Sequence, residues 1–288
     1  MQLTSKKKIL NCGGKLVDLS FPKVMGILNV TPDSFYDGGR YNTSERIYER
    51  VEEIVSSGAD IIDVGAVSTR PGAEEIPVKE ELLRLEPALE IIRKHYPESI
   101  VSVDTYRSEV VREVVQNYGV QIINDISAGK MDPQMHNTVA LFNVPYIVMH
   151  MQGRPENMQL RPEYEDVTCE IFRFLSEKVK SLKELGVKDI IIDPGFGFGK
   201  RPEHNYRLAK DLDIFGFMEL PLLVGFSRKS MVYKLLGLPS GESLTGTIVF
   251  NTMALMKGAD ILRVHDVKEA VEAVKIFCEV NGREDSEK

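Results

Sequence analysis

Asn29, Asp63, Asp104, Asn124, Asp125, His150 and Asp193 each stand at or near the end of a short apolar run. Later runs lead into Ser227-Arg228-Lys229 and carry Arg263, His265 and Asp266. Taken singly, each is an ordinary loop cap or turn former. Together they describe a binding chemistry. A carboxylate only accepts hydrogen bonds and a carboxamide both accepts and donates, so Asp104, Asn124 and Asp193 on one rim would surround a planar nitrogen heterocycle rich in N–H donors. Burying such groups without partners is costly, and a core built for stability alone would avoid Asp104 and Asp193. The alternative is internal pairing with Lys229 or Arg263. Asn29, Arg263 and His265 at one spot would make an anion pocket, most naturally for phosphate, with free N–H groups from a helix opening near Ser230. Three carboxylates could also hold a divalent cation, but the runs that carry them are well separated, and no His-x-His or HExxH spacing supports zinc.

These residues need a scaffold that gathers them. Eight apolar runs, at 24–30, 59–65, 99–105, 121–126, 145–151, 190–194, 221–226 and 260–264, alternate with segments of helical period such as 44–57, 80–95, 108–118 and 164–185. Several runs are continuously apolar, as in Ile190-Ile191-Ile192 and Leu222-Leu223-Val224, as strands covered on both faces must be. Gly58, Gly119, Gly186 and Gly258 end helices just before the next strand. Eight βα units without a GxGxxG after the first strand predict a closed (β/α)8 TIM barrel, an α/β fold, rather than an open doubly wound sheet. Gly13-Gly14 between two apolar pieces at 9–19 predicts a β-hairpin that covers the barrel floor. We expect a single domain over 1–288, with the hairpin in 1–20, the barrel in 21–282 and a polar tail at 283–288. In such a barrel the active site lies at the C-terminal strand ends, and the first and eighth strands are neighbours, which brings Asn29 beside Arg263 and His265. The long loops at 31–42 and 66–77 are expected to act as lids, carrying Thr69 and Arg70 over the ligand.

Composition removes other classes. Among 288 residues, 36 Lys and Arg against 43 Asp and Glu leave a net charge of −7, and Lys6-Lys7-Lys8 is the one basic run, so no nucleic-acid partner is expected. No apolar stretch approaches the ~18 residues of a membrane span, and no signal-peptide core precedes residue 24; we expect a cytoplasmic protein without a membrane partner. Cys12, Cys169 and Cys278 share no CxxC spacing and read as reduced bystanders.

Seven ordered segments resemble the dihydropteroate synthase family over almost the whole chain. They are Met25-Gly26-Ile27-Leu28-Asn29-Val30-Thr31-Pro32-Asp33-Ser34-Phe35, Ser68-Thr69-Arg70-Pro71-Gly72-Ala73, Ser102-Val103-Asp104-Thr105, Ile123-Asn124-Asp125-Ile126, Asp193-Pro194-Gly195-Phe196-Gly197-Phe198-Gly199-Lys200, Gly225-Phe226-Ser227-Arg228-Lys229-Ser230 and Arg263-Val264-His265-Asp266-Val267. One departure is Ala66-Val67, where the family usually has Gly-Glu or Ala-Glu before its Ser-Thr-Arg-Pro-Gly.

The resemblance implies a transferase that joins 4-aminobenzoate to 6-hydroxymethyl-7,8-dihydropterin diphosphate by an SN1-like path. It implies Asp104, Asn124, Met149, Asp193, Lys229 and Arg263 around the pterin. Thr69, Arg70, Pro71, Phe198, Lys229 and Ser230 would line the aminobenzoate site. Asn29 would carry Mg²⁺, with Arg263 and His265 on the diphosphate. The catalytic group would then be Asn29, Thr69, Arg70, Lys229, Arg263 and His265. The resemblance and the apolar helix at 248–256 favour a homodimer. Competing readings are a pterin-dependent methyltransferase, a lyase with a Schiff base on Lys229, and a barrel that binds pterin without catalysis. The Ser-Thr-Arg-Pro-Gly and Ser-Arg-Lys segments argue against the first.

Overall fold

Continuous burial of short Val- and Ile-rich runs on both faces is what a parallel sheet under helices demands, and the runs form such a sheet. The structure, a computed structural model, describes residues 8–31, 43–68 and 75–283. Strands β1 (Ile9–Cys12) and β2 (Lys15–Asp18) form the antiparallel hairpin. Eight further strands follow: β3 (Lys23–Asn29), β4 (Ile61–Gly65), β5 (Ile100–Asp104), β6 (Ile122–Asp125), β7 (Tyr146–Met149), β8 (Ile190–Asp193), β9 (Leu223–Val224) and β10 (Ile261–Val264). They pair in parallel in the order β8-β7-β6-β5-β4-β3-β10-β9, and a bridge from Ile192 to Leu222 joins the two ends. This is the expected (β/α)8 barrel.

Nine helices are described: α1 (Thr43–Ser56), α2 (Val78–His95), α3 (Ser108–Tyr118), α4 (Met135–Phe142), α5 (Val167–Glu184), α6 (Pro202–Lys210), α7 (Ser230–Leu236), α8 (Leu244–Met256) and α9 (Val267–Val280). Helix α5 begins later than its apolar period predicts, because Asp166 caps it by accepting from the Cys169 N–H at 3.0 Å. Gly119 closes α3 in the left-handed region at φ 68°, where its N–H satisfies the last carbonyls, as its position before a strand predicts.

The alternation of side chains sorts the barrel interior into successive inward residues on each strand. The first set is Met25, Ile61, Ile100, Ile122, Ile147, Ile191, Leu223 and Ile261, which packs against Leu10, Cys12, Val17 and Leu19 of the hairpin region. The hairpin is thus the barrel's floor. Each fully buried aliphatic there contributes roughly 1.5–3 kcal/mol of transfer free energy. Outward residues such as Val24, Ile62, Val103, Ile123, Ile192 and Val264 bury themselves under the helices. The floor and the outer layer are apolar, which leaves the interior above the floor as the place where polar side chains collect.

Candidate active site

Two residues beyond the floor set, the inward positions change character to Asp63, Ser102, Asn124, Met149, Asp193, Gly225 and Arg263. Two further on stand Asn29, Gly65, Asp104, Ser227 and His265. The register places Asn29 against Gly65, Gly65 against Asp104 and Asp104 against Asn124, in one line across β3 to β6. Gly65 leaves the gap in that line: a Cβ there would meet Asp104 Cβ at 3.5 Å and Asn29 Oδ1 at 3.6 Å. A cleft opens above, lined by Asp104, Asn124, Met149, Asp193, Phe198, Lys229, Arg263 and His265 among others. A larger open groove at Phe172, Lys183 and Phe217 lies on the outer helical layer, far from the strand ends.

The charges are paired across the barrel. Arg263 donates from Nε to Asp63 at 2.7 Å and from Nη2 to Asp104 at 2.8 Å. Asn124 Nδ2 donates to the same Asp63 oxygen at 3.1 Å. Arg263 and His265 line one cleft, but among the described residues no bond joins Arg263 to Asn29 or to His265. Buried carboxylates demand a cation, and the long Arg263 side chain reaches across to supply it. This is the internal pairing weighed above as an alternative, realised for Asp63 and Asp104. Asp193 instead accepts from the Gly195 N–H at 2.7 Å. Asn29 is exposed at the rim, outside the cleft lining. His265 Nδ1 meets Ser227 Oγ at 3.1 Å.

Burial dominates the titration of this cluster. It pushes Asp104 up to about 7, against the pull of Arg263 and with help from Asp63, Asp125 and Glu81. It pushes Asp193 up against Lys229, and Lys229 down to about 8 against Asp193. His265 falls to about 3 through burial and the Arg228 and Arg263 charges, so its imidazole is neutral at physiological pH. Lys229 Nζ donates to the Phe196 carbonyl at 2.5 Å and lies 5.1 Å from the Phe198 ring centre. Ser230 is exposed at the first residue of α7. Thr69, Arg70 and Pro71, with 32–42 of the first expected lid and 69–74 of the second, lie outside the described residues.

Three other rim residues prove structural. Asp125 caps its loop through the Ser127 and Gly129 N–H groups and accepts from the Tyr146 hydroxyl at 2.6 Å. His150, pushed down to about 2 by burial and Lys200, is neutral and packs edge-on against Phe174. Asp266 pairs with Arg228 at 2.6 Å.

The Pterin binding enzyme family matches residues 25–265. The dihydropteroate synthase of Escherichia coli (strain K12) is 46% identical over 265 residues, covering 91% of this chain and 93% of that protein. The chain belongs to the dihydropteroate synthase family. The solved Yersinia pestis dihydropteroate synthase with a sulfonamide drug complex superposes with a TM-score of 0.89 at 42% identity, covering 95% of this chain and 99% of that one. The Xanthomonas albilineans dihydropteroate synthase with 4-aminobenzoic acid gives 0.89 at 37% identity, covering 96% and 99%. As a dihydropteroate synthase family member the protein is a transferase.

Asp63 and Lys200 have roles in this dihydropteroate synthase fold that the motifs do not assign. Asp63 stands inside β4 between Ile62 and Val64, and a carboxylate amid apolar neighbours is itself the signal. Lys200 closes the glycine-rich segment after β8 and is buried. Its Nζ donates to Gly195 O at 2.7 Å, Phe198 O at 3.0 Å and His150 O at 3.3 Å, and lies 3.1 Å from His150 Nδ1. Burial pushes Lys200 well down, but these partners are all acceptors, and only an ammonium offers three N–H groups to them.

That staple ties the loop carrying Phe196 and Phe198 to the end of β7. The loop also depends on Gly195, at φ +71°, where a Cβ would fall 2.0 Å from the His150 carbonyl oxygen. Gly195→Ala is therefore expected to cost about 3 kcal/mol or more, from left-handed strain plus a clash with backbone. Urea unfolding measures it; a midpoint equal to wild type would mean the loop is not held as described.

Proposed function

We propose that the protein joins 4-aminobenzoate to 6-hydroxymethyl-7,8-dihydropterin diphosphate, giving 7,8-dihydropteroate and diphosphate. The observation that carries the residue roles is the single cleft in which Asp104, Asn124, Asp193 and Lys229 converge on an apolar floor at the C-terminal strand ends. Asp104, Asn124 and Asp193 accept from the ring amino and N–H groups. Met149 and Phe198 contribute apolar walls. Lys229 stands between the carboxylate Asp193 and the Phe198 ring, where it touches both substrates. Arg263 keeps Nη1 without a partner among the described residues, so it can stack on the ring and donate to diphosphate while Nε and Nη2 stay paired. His265 donates to the diphosphate as a neutral imidazole.

The methylene C–O bond breaks first, with its electron pair leaving on diphosphate, and the electron-rich reduced pterin delocalises the cation left behind. The arylamine lone pair of aminobenzoate then forms the C–N bond, and the surplus N–H proton passes to solvent or diphosphate. No strong base is needed, and the site works by orientation and charge stabilisation. The Asn29 carboxamide oxygen is a hard, exposed donor at the rim, which suits Mg²⁺, an ion that binds few protein groups and keeps water and phosphate oxygens. Bound there with the diphosphate, Mg²⁺ would neutralise charge on the leaving group. Thr69, Arg70, Pro71 and Ser230 complete the aminobenzoate side. We also place the protein in the cytoplasm as a homodimer; exposed Val249, Met253 and Met256 on α8, with Ile276 and Val280 on α9, support a second copy there.

Diphosphate release measured with and without 4-aminobenzoate tests the reaction. Release should depend strictly on aminobenzoate and match dihydropteroate formed; release without it would overturn the reading.

A pH prediction follows from Asp104. Its carboxyl is pushed up to about 7 in the free protein, so its contribution to stability is present below the ordinary carboxylate range and is lost as pH rises through about 7. Ring N–H donors favour the ionised form. Pterin binding near pH 6.5 should therefore release a fraction of a proton, and affinity should fall as pH drops below 7. Calorimetry in buffers of different ionisation heat counts that proton; a count of zero and a flat affinity from pH 8 to 5.5 would contradict it.

A further inference from the structure

Asp63 is fully buried, yet it belongs to none of the groups that would touch substrate. One of its oxygens, Oδ2, accepts from both Arg263 Nε at 2.7 Å and Asn124 Nδ2 at 3.1 Å. The other, Oδ1, is buried without a partner among the described residues. A barrel interior selected for stability would not keep a half-satisfied carboxylate at this position, where an apolar residue would fit the strand. Its neighbours explain why it is there. A carboxamide has two faces of opposite sense, and Asn124 turned over would set its oxygen against the oxygen of Asp63, acceptor against acceptor. Asp63 therefore selects the Asn124 orientation in which the carboxamide oxygen is turned away from it. The same Asp63 oxygen holds Arg263 by the Nε edge, and Asp104 holds Nη2 on that edge, so the guanidinium cannot swing and Nη1 stays available.

Resting on the pterin reading above, we infer that Asp63 is a positioning residue: it fixes the acceptor sense of Asn124 and the edge of Arg263, and so sets the hydrogen-bonding pattern the cleft offers to a ring with N–H donors. It acts through those two side chains and touches neither substrate.

The test compares Asp63→Asn, which keeps the shape and loses the charge, with Asp63→Leu, which loses both. Calorimetric titration with 6-hydroxymethylpterin and steady-state KM for each substrate are the readouts, with thermal unfolding as the control for folding. D63N is expected to bind the pterin about tenfold more weakly and D63L at least a hundredfold. The KM for aminobenzoate should stay within about twofold of wild type in D63N. That split between substrates, and the partial rescue by D63N, distinguish positioning from a general loss of folded protein, which would lower kcat and leave both KM values in step. D63N binding pterin as tightly as wild type, or both KM values rising together, would overturn the assignment. If the variants do not fold, the wild-type protein alone still decides: one Asn124 side-chain amide proton should exchange slowly in NMR, and two rapidly exchanging protons would overturn the proposal. Wild-type protein that binds no pterin at all would defeat the function itself, whereas a wild-type binder with an unaltered D63N defeats only the role of Asp63.

Discussion

Arg263→Leu is expected to destabilise the protein by about 3–5 kcal/mol and to abolish detectable turnover. The stability loss follows from Asp63, which is 0% exposed and would be left as an uncompensated buried charge. Asp104 would lose its Arg263 partner too, but its carboxyl, already pushed up to about 7, can take a proton. Destabilisation should therefore be larger at pH 8 than at pH 6, where a neutral Asp104 no longer needs the guanidinium. The informative control is the double replacement of Arg263 and Asp63 by Leu. Removing both members of a buried pair is often close to neutral, so the double variant should recover most of the lost stability while remaining inactive. Urea unfolding at the two pH values measures the first part, and product formation the second. If the single variant unfolds like wild type, the Arg263 pairing contributes nothing; if the double variant regains activity, Arg263 has no part in the chemistry.

Asp193→Asn is expected to weaken pterin binding by one to two orders of magnitude, through loss of a charge-assisted pair of ~1.5–3 kcal/mol. The local geometry makes the sign definite. Asp193 Oδ1 accepts from the Gly195 N–H, and an asparagine that keeps that bond must turn its NH2 toward the cleft. Donor then meets donor where the ring amino group should bind. A second effect reaches Lys229, whose amine burial already lowers to about 8 against the opposing Asp193 charge. Without that charge the amine falls further, so the alkaline limb of the rate profile should move to lower pH. Calorimetric binding of the pterin and the pH dependence of kcat/KM read the two effects separately. Near-normal binding with an intact fold would remove Asp193 from the pocket, and an unmoved alkaline limb would mean that Lys229 does not titrate in the reaction.

Much of this protein is legible one strand at a time. Eight apolar runs separated by helical segments, each run ending in a polar side chain, determine a closed barrel with its polar groups at one end, because the two-residue alternation and the parallel connection leave little freedom. The residues that line the cleft are accordingly the ones at the second and third inward positions of their strands, counted from the floor: Asn124, Asp193 and Arg263 stand at the second, Asp104 and His265 at the third. The hairpin floor was equally legible, since Gly13-Gly14 between apolar pieces leaves a two-stranded element that must bury one face.

What the chain alone left open was which charge meets which. Strand pairing orders neighbours, but a guanidinium on a long side chain can reach past them, and Arg263 crosses from β10 to oxygens on β4 and β5 rather than staying with Asn29 on the adjacent β3. The stagger between strands also sets Asp104 level with Asn124 while Asp63 lies below, which no single run reveals. Lys200 shows the same limit. Its four acceptors come from three loop and strand-end positions that approach only when β7 and β8 are side by side. Sequence periodicity decides which way a side chain points, because sterics act locally; the partner it finds is decided by desolvation of charges in a common interior, and that interior exists only after the barrel has closed.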